Sequence, residues 1–455
     1  MLGIQVRRMS LPDEKSPNDG FIKRYLPLIG VEGYLLTTLL IFYLGPVKFK
    51  IHNQPLFIVL MFLYHSFFIF GYWVSLKTEK FHKKQYEKLP THNLYYISLI
   101  LGLLGVVGAY NNLMLSSTFI PYDFIDNLTR GFSEPGLVYT ERMMSVESGV
   151  TSGSRLFNIT SFFFSFFKLL FIFQFVYNWK RLEKFKKFIA VIYSFFFISS
   201  GIASGTNSVI FIFFIFLAFS VLITLYVNNY KHMRRLALIL GGLFLIPVGS
   251  FGYIMSQRGG GFDYFATTSP LGDISAPVGS MDIEAASIFE FFRYSFVWLD
   301  YYLVQGYYGF SLIINKEFNW TFGFGNSAFL QRQLLLLTGI DITPLTYQHR
   351  VSPIWDESAQ WHSFYGQFAN DFSLIGLVVL MFFLGYLLAK TWASIIYNNS
   401  FYGAALIPIY MIMFIFFPAN NQVFAYIDTL SYFIFINLLW MLETKKTKVL
   451  SHVLK

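Results

Sequence analysis

The sequence predicts an all-α polytopic membrane protein, with about ten transmembrane helices and two long loops on one side. Three observations predict it. Hydrophobic residues make up 55% of the chain and charged residues only 13%, about half the charge of an ordinary soluble domain. Apolar stretches of roughly the 20 residues that a helix needs to cross a bilayer recur along the sequence. Lys and Arg collect in alternate connecting segments, as they do on the cytoplasmic side of membrane proteins. The connecting segments on that side are too short to bury a soluble core, so residues 1–455 read as a single integral membrane domain.

The ten stretches are 25–44, 57–76, 94–115, 157–177, 188–204, 209–227, 236–255, 372–388, 406–417 and 423–442. The ninth is the weakest, because Pro408 and Pro418 bracket its core. With ten spans, Arg7, Arg8, Lys23 and Arg24 fall on the same side as the basic residues of 77–88, 180–187, 231–235 and 445–448. That side is the cytoplasm, which puts both termini there. The net charge of +9 is scattered over these short segments and points to topology, not to nucleic acid. The polar N-terminal 24 residues do not resemble a cleaved leader, and the first span reads as an uncleaved signal anchor. Cysteine is absent, which excludes disulfides, thiolate catalysis and Cys-based metal sites. Heavy use of Phe, Ile, Lys and Asn favours a bacterial host, and hence a bacterial inner membrane.

The other side carries two long loops, 116–156 and 256–370. They hold most of the acids and several isolated arginines, while Lys is nearly absent from them. Guanidinium binds phosphate oxygens bidentately and stays charged when buried. Residues 285–314 carry aromatics at nearly every position and read as a helix at the membrane interface or packed on the span bundle. Trp298, Tyr301, Tyr302, Tyr307 and Tyr308 suit an interfacial belt. The glycines at 259–261 mark a chain reversal at the membrane exit. His349 and His362, the histidines of the long loops, lie close to Asp356 and Glu357. Any of the four is a candidate base for an attacking hydroxyl. The spacing of the two histidines is not a metal motif. Charges inside spans cost roughly 2.5–3.5 kcal/mol and are often functional. Glu32, Lys168 and Asp428 qualify, and Lys168 is placed to snorkel, to pair with an acid or to line a cavity for a lipid phosphate.

Residues 361–385, WHSFYGQFANDFSLIGLVVLMFFLG, resemble the closing motif of Wzy-type oligosaccharide repeat-unit polymerases. The resemblance is carried by Tyr365-Gly366, Asp371-Phe372 and Gly376. FGFGNSAFL at 322–330 and the small-residue turn within 199–216 are similar to features of that family as well. Many relatives carry an Arg in that turn, where this chain has Thr206-Asn207. Span number, size and the two long loops agree over nearly the whole chain.

The resemblance implies a glycosyltransferase of the C class. It would move a growing glycan from undecaprenyl pyrophosphate onto the next lipid-linked unit at the periplasmic face, without nucleotide sugar, cofactor or metal. Its partners would be lipid-linked glycans, membrane lipid and a chain-length regulator protein. Arg258 and Arg293 would bind the pyrophosphate, followed by Arg142, Arg155 and Arg350. Trp298, Trp320, Trp355, Trp361 and Tyr365 would stack on sugars. An O-antigen ligase uses the same donor on a similar architecture and is the nearest alternative. A flippase or exporter of lipid-linked glycans would carry polar residues in many spans and short outer loops, which is the reverse of this chain.

Overall fold

The computed structural model describes residues 17–78, 91–114, 122–147, 155–228, 233–259, 268–276 and 287–453. The expected glycine reversal falls mostly outside them. The described chain runs through helices α1 (Pro17–Leu44), α2 (Gln54–Thr78), α3 (Thr91–Leu113), α4 (Phe124–Ser133), α5 (Pro135–Glu147), α6 (Arg155–Phe164), α7 (Phe166–Asn178) and α8 (Lys184–Ala203). It continues through α9 (Asn207–Val227), α10 (Met233–Gly259), α11 (Ile288–Ile313), α12 (Ala328–Thr338), α13 (Tyr347–Val351), α14 (Phe364–Asn398), α15 (Phe401–Phe416) and α16 (Ile427–Val453). Among the described residues the only strands are β1 (Lys48–Phe49) and β2 (Ile274–Ser275), paired antiparallel. That pairing ties the α1–α2 turn to the segment before α11, at one end of the bundle.

By length and composition, 7 segments among the described residues can cross a membrane: Lys23–Leu44, Gln54–Thr78, Leu94–Asn111, Thr160–Arg181, Lys184–Ala203, Asn207–Val227 and Phe364–Asn398. The chain is therefore an all-helical, multi-pass membrane protein. Two expected spans coincide with shorter apolar helices, Leu245–Ser256 and Phe401–Phe416. Pro247 and Pro408 lie inside α10 and α15. The last expected span falls in α16, which carries Asp428, Asn437 and Glu443 along its length.

Helices α2 and α14 cross at close range. A Cβ on Gly71 would strike the Phe382 carbonyl, and one on Gly385 would strike the Phe68 carbonyl. Small residues on both helices thus bring the backbones into contact, which is how helices associate where no hydrophobic drive separates protein from lipid. Helix α14 begins before the expected span. It breaks at Ser373, whose φ of 64 and ψ of 168 lie in a region that almost only glycine adopts. The Ser373 hydroxyl then accepts a hydrogen bond from Gly376 N at 3.1 Å and restarts the helix.

Helix α11 confirms the expected helix over the aromatic run, and of the two expected settings it takes the packing on the span bundle. Ser287 and Glu290 form a capping box that fixes its start. Trp298, Tyr301, Tyr307 and Tyr308 are then buried inside the protein, not spread in a belt. Their hydroxyls find partners there. Tyr307 meets the Thr38 hydroxyl at 3.1 Å, Tyr308 meets Ser269 at 3.0 Å, and Tyr301 donates to Gln360 Oε1 at 2.8 Å. Buried tyrosine needs such partners, and here they come from three separate segments.

Gly385→Val should force the α2–α14 crossing apart and cost about 1–3 kcal/mol or more. Thermal melts in detergent should show a clear fall in Tm for this variant. The same melts should show little change for Gly249→Ala, where a Cβ meets nothing within 4 Å.

Candidate functional site

Two motifs distant in sequence meet at one carboxylate. Asp371, buried at the end of the first segment of α14, accepts five hydrogen bonds from residues 321–326. Its Oδ1 receives the Thr321 hydroxyl at 2.5 Å, Gly323 N at 2.8 Å and Gly325 N at 3.2 Å. Its Oδ2 receives Asn326 N at 2.9 Å and Asn326 Nδ2 at 2.7 Å. The neighbouring Asn370 accepts from Tyr347 N at 2.8 Å and donates to the Gly325 carbonyl at 3.1 Å and Gln348 Oε1 at 2.7 Å. The turn needs glycine at 325, where a Cβ would collide with the Thr321 hydroxyl and the Asn370 side chain.

The turn launches α12. Ser327 caps it, accepting from Leu330 N at 3.2 Å and donating to the Phe424 carbonyl at 2.5 Å. Asn421 Nδ2 donates to the Asn326 carbonyl at 2.6 Å. The start of α12 is therefore fixed against both α14 and the turn that precedes α16.

Helix α12 and the turn before α16 contribute to the wall of a cavity of about 820 Å³. Its lining is mostly apolar, from α9, α15, Leu299 and Leu303, and three cations reach it: Arg142 of α5, Lys168 of α7 and Arg332 of α12. Lys168 pairs with Asp428 at 2.6 Å and lies 4.3 Å above the Phe197 ring, so it both meets an acid and lines the cavity. Arg142 lies 5.1 Å from the centre of the Tyr139 ring. Burial lowers the pKa of both Arg142 and Arg332. Gln422, 1% exposed, lies beside Tyr426, and Asn207 Oδ1, also in the lining, has no hydrogen-bond partner. Desolvated cations beside an apolar wall favour an anionic ligand with an apolar body.

The remaining expected residues distribute as follows. Of the arginines, Arg142 lines the cavity, whereas Arg293 is exposed on α11 away from it. Arg350 donates to the Glu317 carbonyl at 2.7 Å and stacks over Tyr347. The side chains of Arg155 and Arg258 lie outside the described ones. Among the aromatics, Trp361 lines the cavity and packs edge-on to Tyr302 at 4.7 Å. Trp298, Trp355 and Tyr365 are fully buried core residues that no sugar reaches, and Tyr365 stacks on Tyr64. Trp320 is 56% exposed and packs on Phe322.

His349 Nδ1 meets Glu357 Oε1 at 2.6 Å, half-exposed, next in sequence to the cavity residue Ser358. Asp356 accepts from Ser358 N at 2.9 Å and shapes that turn. His362 is buried against Gly309 of α11 without a well-formed hydrogen bond at either ring nitrogen. Burial pushes its pKa down to about 3. A ring so weakly basic and so enclosed is unsuited to take a proton near neutral pH. Among the described residues no group of three His, Asp or Glu side chains could hold a metal ion.

Arg332, Gln422 and Asp371 are the participants that sequence reasoning did not select. The spacing of Arg332 from Ser327, about one and a half turns into a capped helix, is a weak signal for its direction. No family model, curated protein or solved structure matches the chain.

The buried His362 sets a pH dependence. Its folded pKa lies below the unfolded value of 6.5. Below pH 6.5 the unfolded state takes up a proton that the native state refuses, so stability falls as pH falls. Between pH 7 and 5 this contributes a loss of about 2 kcal/mol. Thermal melts of His362→Gln should lose correspondingly less stability over that interval than melts of the unsubstituted protein.

Proposed function

We propose that the chain is a polymerase of undecaprenyl-pyrophosphate-linked oligosaccharide repeat units, a C-class glycosyltransferase of the bacterial inner membrane. It has ten spans, both termini in the cytoplasm and its site at the periplasmic face. The observation that carries this reading is the cavity of about 820 Å³, in which a mostly apolar wall meets Arg142, Arg332 and Lys168. Of the motifs that resemble the polymerase family, the one at 322–330 contributes Ala328 and Phe329 to its wall and the one at 361–385 contributes Trp361. The turn at Thr206-Asn207 also lines the cavity, and the cations that this turn lacks are supplied from α5 and α12.

The chemistry follows from the charges. The acceptor hydroxyl oxygen attacks the anomeric carbon of the donor glycan. The bond from that carbon to the pyrophosphate oxygen breaks, and the electron pair leaves with the lipid pyrophosphate. Arg142 and Arg332 stabilise the charge as it grows, an interaction stronger in the transition state than in the ground state. The acceptor proton passes to His349, whose ring Glu357 holds in place. Trp320 and Trp361 offer flat faces to sugar rings.

With purified protein and a lipid-linked repeat unit, Arg142→Lys and Arg332→Lys should each lower kcat/KM by on the order of tenfold or more, because Lys loses the bidentate fork. His349→Ala should lower kcat by on the order of 10²-fold with donor KM little changed. Unchanged polymer formation in all three variants would sink the mechanism. In cells, deletion should leave single-repeat caps on the surface polysaccharide. Naked core would indicate a ligase, and cytoplasmic build-up of lipid-linked units would indicate a flippase.

Topology is checked separately. Reporter fusions after Glu134 and Gln331 should report the periplasm, and one after Lys84 the cytoplasm. A cytoplasmic signal at Gln331 would place Arg332 on the wrong side for the donor.

A further inference from the structure

We propose that Asp371 is a positioning residue whose role is to aim Arg332 into the cavity, a role that rests on reading the cavity as a lipid-pyrophosphate site. Asp371 touches no part of the cavity lining. It acts through the turn at 321–326, whose backbone and side-chain donors converge on its two oxygens. The last of these donors, Asn326, directly precedes the cap residue Ser327 of α12.

The face of α12 on the cavity is Ala328, Phe329, Arg332 and Gln333. Residues spaced one, four and five apart share one side of a helix, and a shift of one residue turns that side by about 100°. Arg332 therefore reaches the cavity only while the start of α12 holds its present rotation. Two contacts hold that start against the turn before α16, Ser327 to the Phe424 carbonyl and Asn421 to the Asn326 carbonyl. Asp371 holds it against α14. Charge is needed there. A neutral Asn would turn an amide donor toward donors already pointing at it, where the carboxylate accepts from all five.

Binding of undecaprenyl pyrophosphate to full-length protein in detergent tests this. The variants are Asp371→Asn, Arg332→Ala, the double variant and the milder Thr321→Val, which removes one donor to Asp371. Arg332→Ala should weaken binding about tenfold, and Asp371→Asn by a similar factor. The double variant should bind about as well as Arg332→Ala alone, because Asp371 acts only through that side chain. Thr321→Val should weaken binding by a smaller factor, and should have no effect once Arg332 is Ala. Gly385→Ala, destabilised at a helix crossing far in sequence from the turn, should melt lower yet bind normally. Additive losses in the double variant, or equal losses in Gly385→Ala, would overturn the positioning role while leaving the lipid site intact. Absence of binding by the unsubstituted protein would overturn it together with the functional reading.

Discussion

The arrangement of the cavity depends on one buried carboxylate. Asp371 collects donors from the backbone and side chains of a turn that has no regular structure of its own. Without it, the buried amide hydrogens of Gly325 and Asn326 would lose this acceptor, at a cost of about 1–3 kcal/mol each. Taking a carboxylate out of water is expensive, and only a full set of charge-assisted hydrogen bonds offsets that cost. The same bonds hold the turn in shape, since five donors of 321–326 converge on one side chain. The rigidity passes to α12 on one side and, through Asn421 and Ser327, to the turn before α16 on the other.

The charges within the membrane-crossing region are handled differently. Lys168 and Asp428 meet across α7 and α16, and Glu32 meets His65 across α1 and α2 at 2.8 Å. A buried ion pair contributes little net stability, because desolvation consumes most of the Coulomb gain. Burial depresses the pKa values of Arg142 and Arg332, the other two cations of the cavity wall.

Much of the architecture was legible in the sequence because hydropathy and helix length are local properties. The aromatic run after Ser287 was visible as a helix for the same reason, helped by its capping box. Which of its two expected settings it takes was not, since Trp and Tyr suit an interface and an interior equally. What decides between them is whether a hydroxyl finds Thr38, Ser269 or Gln360, and those partners lie 269, 39 and 59 residues away in sequence. Lys168 was readable as a group that must pair or line a cavity, and it does both. Arg142 was readable among the isolated arginines, but Arg332 was not distinguished from the rest. Its direction depends on the rotation of α12, which hydrogen bonds across 45 to 50 residues of sequence determine. His362 looked like a base by residue type. Only packing against Gly309 reveals that it is shut away.

The contact of Gly71 with the Phe382 carbonyl has a consequence for biogenesis. During insertion α2 enters the bilayer long before α14 is made, because some three hundred residues separate them. Until then the bare backbone strip around Gly71 faces lipid, where a loosely filled groove is a poor match for acyl chains. A nascent chain stalled before α14 would therefore present an unfilled seam to the quality-control proteases of its membrane. Completion of the bundle is a late, long-range event, and the second half of the chain acts as the template that closes the first.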